Sequence, residues 1–213
     1  MIEDISHNIV LVGESFASQK LTVEDFDFGT KSNEVLRLGP MLQVDASPFV
    51  ALVVPDRIQL GLNGPNITQE SSERLVTVAH SLMDVIGRRS VNAVGLNYTG
   101  AIRESADSPS ALMARLANVS ALSSGLNVEV EPPMELILHL RGLSDASTTR
   151  LKVWTAAAEG PLLIEVNSHY DLGTNIKTPQ VRNALTRFPE AIALSTETAL
   201  SIERLLAGEA VQR

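Results

Sequence analysis

The chain has no cysteine among its 213 residues, which excludes disulfides, thiolate nucleophiles, and zinc or iron-sulfur sites built on cysteine. Long apolar runs are missing as well. The longest, Phe49 to Val54, is strand-sized, far short of the roughly 20 residues that span a bilayer. Neither a P-loop nor a GxGxxG pattern occurs, which argues against the common kinds of nucleotide chemistry. Positive charge is in short supply: 17 Lys and Arg against 25 Asp and Glu leave a net charge of -8, which repels phosphate backbones and disfavours nucleic-acid binding. The one adjacent basic pair, Arg88-Arg89, falls at an expected helix end, where cations complement the dipole. The opening stretch from Met1 to His7 is acidic, and the apolar run from Ile9 to Val12 is too short for a signal-peptide core. A cytoplasmic location without membrane association is the expectation.

What the chain does have is a 44% hydrophobic content arranged in periodic blocks. A length of 213 residues suffices to bury roughly 70% of the surface of the unfolded form without a covalent or metal staple. The first 65 residues read as short strands at 8–12, 21–28, 35–38, 41–44, 49–54 and 58–62. Pro55-Asp56 is too short for a parallel crossover, so the last two form a hairpin. From Thr68 the period becomes helical, with Leu75, Val78, Ala79, Leu82, Val85 and Ile86 on one face. The run from Val91 to Ile102 alternates without a cleanly polar side, which marks a central strand. Ser108-Pro109 opens a short helix, with Ser as cap and Pro at the first helical position. Three alternating runs, at 134–141, 151–157 and 162–170, form a meander. Thr178-Pro179 starts a further helix, and Pro189 separates it from a last helix that Gly208 ends.

The expected fold is a single α+β domain over 1–213: a mostly antiparallel sheet of six or more strands, with the 72–87 helix and the C-terminal helix packed on one face. Gly64-Pro-Asn-Ile-Thr68 and Gly173-Thr-Asn-Ile-Lys-Thr178 both join strands to a helix, the pattern expected if two halves, about 1–90 and 91–213, are a duplication; Gly and Asn are common turn residues, and coincidence is the simpler account.

Several segments resemble a family of uncharacterised bacterial proteins found sporadically across genomes. They are Val54-Pro-Asp-Arg-Ile-Gln-Leu60, Val94-Gly-Leu-Asn-Tyr-Thr-Gly-Ala-Ile102 and Leu162-Leu-Ile-Glu-Val-Asn-Ser-His-Tyr-Asp171. The chain departs from that family at its N-terminus, where Ile5-Ser-His-Asn-Ile-Val-Leu11 replaces a Pro-Pro-rich strand opening. The resemblance implies an order of elements and transfers no site.

No residue set offers evident chemistry. His169 and Asp171 lie two apart on a strand and share a face, together with Glu165 and Asn167, and His139 lies on the polar face of another strand. Convergence of the three would make a hydrolase or metal site, but a middle strand would hold the two histidines roughly 10 Å apart, and such residues are ordinary at the solvated end of a strand. His80 is expected on a helix flank and His7 near a chain end. The carboxylate pairs Asp25/Asp27 and Glu129/Glu131 read as solvated strand edges. Trp154, the only tryptophan, falls in the middle strand of the meander beside Ile137 and Leu163, an apolar patch suited to a subunit or partner interface.

Three functional readings follow. The leading one is a soluble, non-enzymatic protein-interaction or assembly module, with a protein partner or self-association, no cofactor and no bound metal. A second is a helix-grip cavity for a small apolar ligand, lined by Leu136, Leu138, Val153, Ile164 and Val166. The third is the hydrolase or metal site at His139, His169 and Asp171.

Overall fold

The computed structural model describes residues 2–13, 16, 21–30, 34–65, 67–86, 91–102, 107–118, 134–140, 148–155, 160–173 and 178–208. The proposed carboxylate pair at Glu129 and Glu131 lies outside them. The architecture is α+β, built on one nine-stranded antiparallel sheet. The strands are β1 (Ile2–Gly13), β2 (Glu34–Leu38), β3 (Met41–Ala46), β4 (Phe49–Val54), β5 (Arg57–Asn63), β6 (Val91–Ile102), β7 (Glu135–Leu140), β8 (Thr148–Thr155) and β9 (Leu162–Asp171). Their spatial order is β2-β3-β4-β5-β1-β6-β9-β8-β7. The helices are α1 (Gln69–Ile86), α2 (Pro109–Leu116), α3 (Thr178–Thr186) and α4 (Phe188–Ala207).

Strict alternation shapes this sheet. In β1, residues His7, Ile9, Leu11 and Gly13 are buried, while Ser6, Asn8, Val10 and Val12 are half-buried. Backbone pairing carries the same split sideways. Ile9 lies opposite Leu60 of β5 and Leu96 of β6, and Leu11 opposite Ile58 and Val94. Two core clusters result. One joins Ile9, Leu11, Leu42, Val53, Leu60 and Leu96 to Leu75, Val78 and Leu82 of α1 and to Leu185 and Phe188 at the junction of α3 and α4. The other joins Tyr98, Val153, Ile164 and Val166 to Leu112 and Met113 of α2 and to Ala199, Ile202 and Leu206 of α4. Helix α1 packs on β1 and β5, α4 packs on β6, β1 and β9, and α1 touches both α3 and α4.

Local signals set the ends of these elements. Ser108 Oγ accepts the Ala111 N–H at the start of α2, with Pro109 in the first turn. Gly208 stops α4 in the left-handed conformation, at φ 78°, where a Cβ would be strained. Central placement of the 91–102 strand and the hairpin at Pro55-Asp56 match the reading of the sequence.

Two expectations are corrected. The stretch at 21–28 is not a strand: Val23–Phe26 is a 3-10 turn, because Thr22 and Asp25 cap each other's backbone, with the Thr22 N–H donating to Asp25 Oδ2 at 2.7 Å. His7 is not at a loose chain end but 3% exposed, held between β5 and β6.

Candidate functional site

Residues that alternate with the core set share the opposite face of the sheet, and most of them are half-exposed. None of their side chains belongs to either core cluster. One register row crosses this face as Glu34, Asp45, Val50, Gly61, Asn8, Asn97, Asn167, Arg150 and His139. It runs from carboxylates at one edge, through three asparagines at the centre, to the Arg150 guanidinium and the His139 imidazole at the other.

Amide side chains pair along this row. Asn167 donates its side-chain N–H to Asn97 Oδ1, and Gln59 reaches Asn8 Oδ1 at 3.4 Å. Gly61 makes room for the Asn8 amide, since a Cβ there would sit 2.6 Å from Asn8 Oδ1. This row escaped the sequence reading because its members lie on strands far apart in the chain. The signal was present as Asn at an alternating position in each of three strands.

The N-terminal half of this face carries, between Glu34, Asp45 and Asn8, the apolar Leu36, Leu38, Met41, Val50, Leu52, Val54, Val10 and Val12 on β2, β3, β4 and β1. The C-terminal half is charged. Lys152 Nζ lies 2.6 Å from Glu135 Oε2, and Arg150 lies 3.4 Å from Glu165 Oε1. Trp154 sits among them, opposite Leu163 on β9 and Glu135 on β7. Lys152 Nζ approaches the indole ring to 5.1 Å from its centroid, within cation-π range. Ile137 is diagonal to Trp154, opposite Lys152, and 43% exposed. The indole Nε1 is enclosed and meets no acceptor among the described residues. What Trp154 presents is therefore ring rather than a donor.

The structure places His169 and Asp171 on the same strand and face, with Asp171 turned to the Gly173 N–H at 3.0 Å. His139 is not brought to them. It lies across β8, opposite Arg150, while His169 lies opposite Thr148, so two strand spacings of about 4.8 Å and a row offset separate the imidazoles. Among the described residues no group of three or more His, Asp or Glu side chains is placed to hold a metal ion. Of the expected cavity lining, Val153, Ile164 and Val166 are at most 1% exposed and belong to the cluster that includes Ala199, Ile202 and Leu206 of α4. Leu138 is 43% exposed at the sheet edge.

A buried polar group also escaped the sequence reading. Tyr98 Oη donates to Asp4 Oδ1 at 2.8 Å, and the His7 ring lies 5.5 Å from the Tyr98 ring and 6.5 Å from Phe188. Burial, then the Asp4 carboxylate, pushes the Tyr98 hydroxyl pKa up. Burial lowers the His7 pKa despite Asp4 nearby, so at neutral pH the 3.8 Å His7–Asp4 contact is not an ion pair. Neither His7 nitrogen has a hydrogen-bond partner among the described residues. This group ties β1 to β6 beneath Phe188 of α4.

No protein-family model matches the chain, and no curated protein matches it. No helix of the described residues is long and apolar enough to cross a membrane.

Proposed function

We propose that the chain is a non-enzymatic protein-interaction module whose working surface is the half-exposed face of the sheet, with Trp154, Leu163 and Ile137 at its C-terminal half. The observation that carries this reading is the split of the strand residues. All helices contribute to clusters built from the other face, which supports a reading in which both main helices lie on one side and leave the face bearing Trp154 open to a partner. That face offers a ring, aliphatic side chains and hydrogen-bonding amides at register positions. Rigid strands hold these groups in place, and such a mixture suits a polypeptide partner.

The strand order also supports a duplicated origin for the halves at about 1–90 and 91–213. Each half opens on a strand that lies beside its own last strand, β1 by β5 and β6 by β9, and in each the next strand is the outer edge, from which a meander runs back inward. Two matching units back to back would give one broad platform.

The test is a native mass spectrum of the chain purified gently from its own host. A second polypeptide is expected with the wild type and lost in Trp154→Asp and Leu163→Asp, with thermal unfolding confirming that both variants fold. A second polypeptide retained equally by both variants overturns this surface, and a wild-type spectrum with no second polypeptide overturns the module.

A further inference from the structure

We infer that the chain forms a two-fold homodimer in which β7 pairs antiparallel with the β7 of a second copy. This goes beyond the reading of the sheet face and does not depend on what occupies that face.

Strand β7 ends the sheet, and among the described residues β8 is its one neighbour. The outer N–H and C=O groups of such a strand are a template for another strand. Edges left free in solution are usually blunted by lysine, proline or a bulge. None of these occurs in β7, whose register with β8 runs unbroken from Glu135 to Leu140. Its side chains are instead leucine on one face, at Leu136, Leu138 and Leu140, with Ile137 between Glu135 and His139 on the other. Ile137 and Leu138, which point to opposite sides, are each 43% exposed, and Met134 just before the strand is 60% exposed.

The sequence of the strand specifies the occupant. Met134-Glu-Leu-Ile-Leu-His-Leu140 has the same chemical character read in either direction about Ile137. Antiparallel pairing centred there sets Met134 opposite Leu140, Glu135 opposite His139, and Leu136 opposite Leu138, with Ile137 opposite itself. Every apolar residue then meets an apolar one, and the Glu135 carboxylate meets the His139 imidazole, whose ring N–H can donate to it. Sliding the pairing by one residue sets Glu135 against a leucine and His139 against Met134 or Leu136, and sliding it by two puts Glu135 or His139 against Ile137. Only the centred register satisfies all seven positions.

Strand β2, at the far edge, lacks this property. It too exposes Val35, Leu36 and Leu38, but pairing about Leu36 sets Glu34 against Leu38 and Val35 against Arg37. Exposure alone therefore does not select β7; its self-complementarity does. Residues opposite one another in the centred register share a face, so the two-fold axis is perpendicular to the sheet. The contact is isologous, and one sheet runs through both copies with their helices on the same side.

The absence of cysteine makes a direct test possible. Directly opposite residues have Cβ atoms about 4.5–5.5 Å apart, so Ile137→Cys places two thiols across the axis. Under mild oxidation it is expected to form a covalent dimer of twice the 22.9 kDa chain mass, whereas Leu36→Cys at the other edge stays single. Sedimentation of the unmodified wild type at tens of micromolar is expected to show a dimer, and Ile137→Lys to weaken it by at least about tenfold. A monomeric wild type overturns the inference without recourse to any variant. Crosslinking of Leu36→Cys equal to that of Ile137→Cys also overturns it, as does undiminished dimerisation of a folded Ile137→Lys protein. A monomer that still retains a foreign polypeptide would sink the dimer and leave the sheet-face reading standing.

Discussion

At the scale of single residues, the buried His7 makes a prediction that depends on the sign of a pKa shift. Burial lowers its folded-state pKa below the ordinary value, which is about 6.5 for an unperturbed imidazole. The unfolded chain therefore binds this proton more readily than the folded one, and stability rises with pH across that window. The contribution is fully present above pH 6.5 and is lost as pH falls toward the lowered pKa. His80 shifts in the same direction, through burial and then the Arg182 charge. Urea unfolding between pH 7 and pH 5 should show falling stability, with a smaller fall in His7→Leu and the smallest in the double variant with His80→Leu. A slope unchanged by His7→Leu would remove His7 as its source. The sequence could not show this cluster, because Asp4 and His7 are an odd number of residues apart and belong on opposite faces of a regular strand. A register shift between Asp4 and Ser6 turns Asp4 to the side of His7 and Tyr98, and bulges leave little trace in composition.

Among the elements, legibility follows how local the determining interaction is. The start of α2 was readable because one side chain, Ser108, closes the first turn onto Ala111 N. Removing that bond in Ser108→Ala should lower stability by about 1 kcal/mol, and Ser108→Asp, which also caps, should recover most of it. The measurement is the urea midpoint at constant m-value, and a midpoint unmoved by Ser108→Ala would mean that the cap contributes nothing. The 21–28 stretch misled for the converse reason. Its Phe26 and Phe28 alternate with Asp25 and Asp27 as a strand's residues would, yet the reciprocal Thr22–Asp25 cap is equally local and prevails. The self-complementarity of β7 was likewise in the sequence, but nothing local announces that a strand lies at an edge. Its neighbours in space decide that.

At the scale of the whole molecule, strand order was the least legible property, because β1 finds its partners far along the chain. It pairs with β5 and with β6, setting His7 opposite both Leu62 and Tyr98. Alternation identifies strands that have a buried side, but it is the same for any arrangement that keeps that side inward. The consequence is that the two halves share a central seam. Ile9, fully buried, lies between Leu60 and Leu96, so it packs against β5 of the first half and β6 of the second. Truncation in Ile9→Ala should cost about 2–5 kcal/mol and should loosen both halves together. The single tryptophan provides the means to check this, since Trp154 on β8 reports the second half alone while far-ultraviolet circular dichroism reports the whole chain. With one cooperative unit the two unfolding curves coincide in the wild type and move by equal amounts in Ile9→Ala. Separation of the fluorescence curve from the dichroism curve, or a shift in only one of them, would show that β1 belongs energetically to its own half and that the seam between β1 and β6 is a boundary between two folding units.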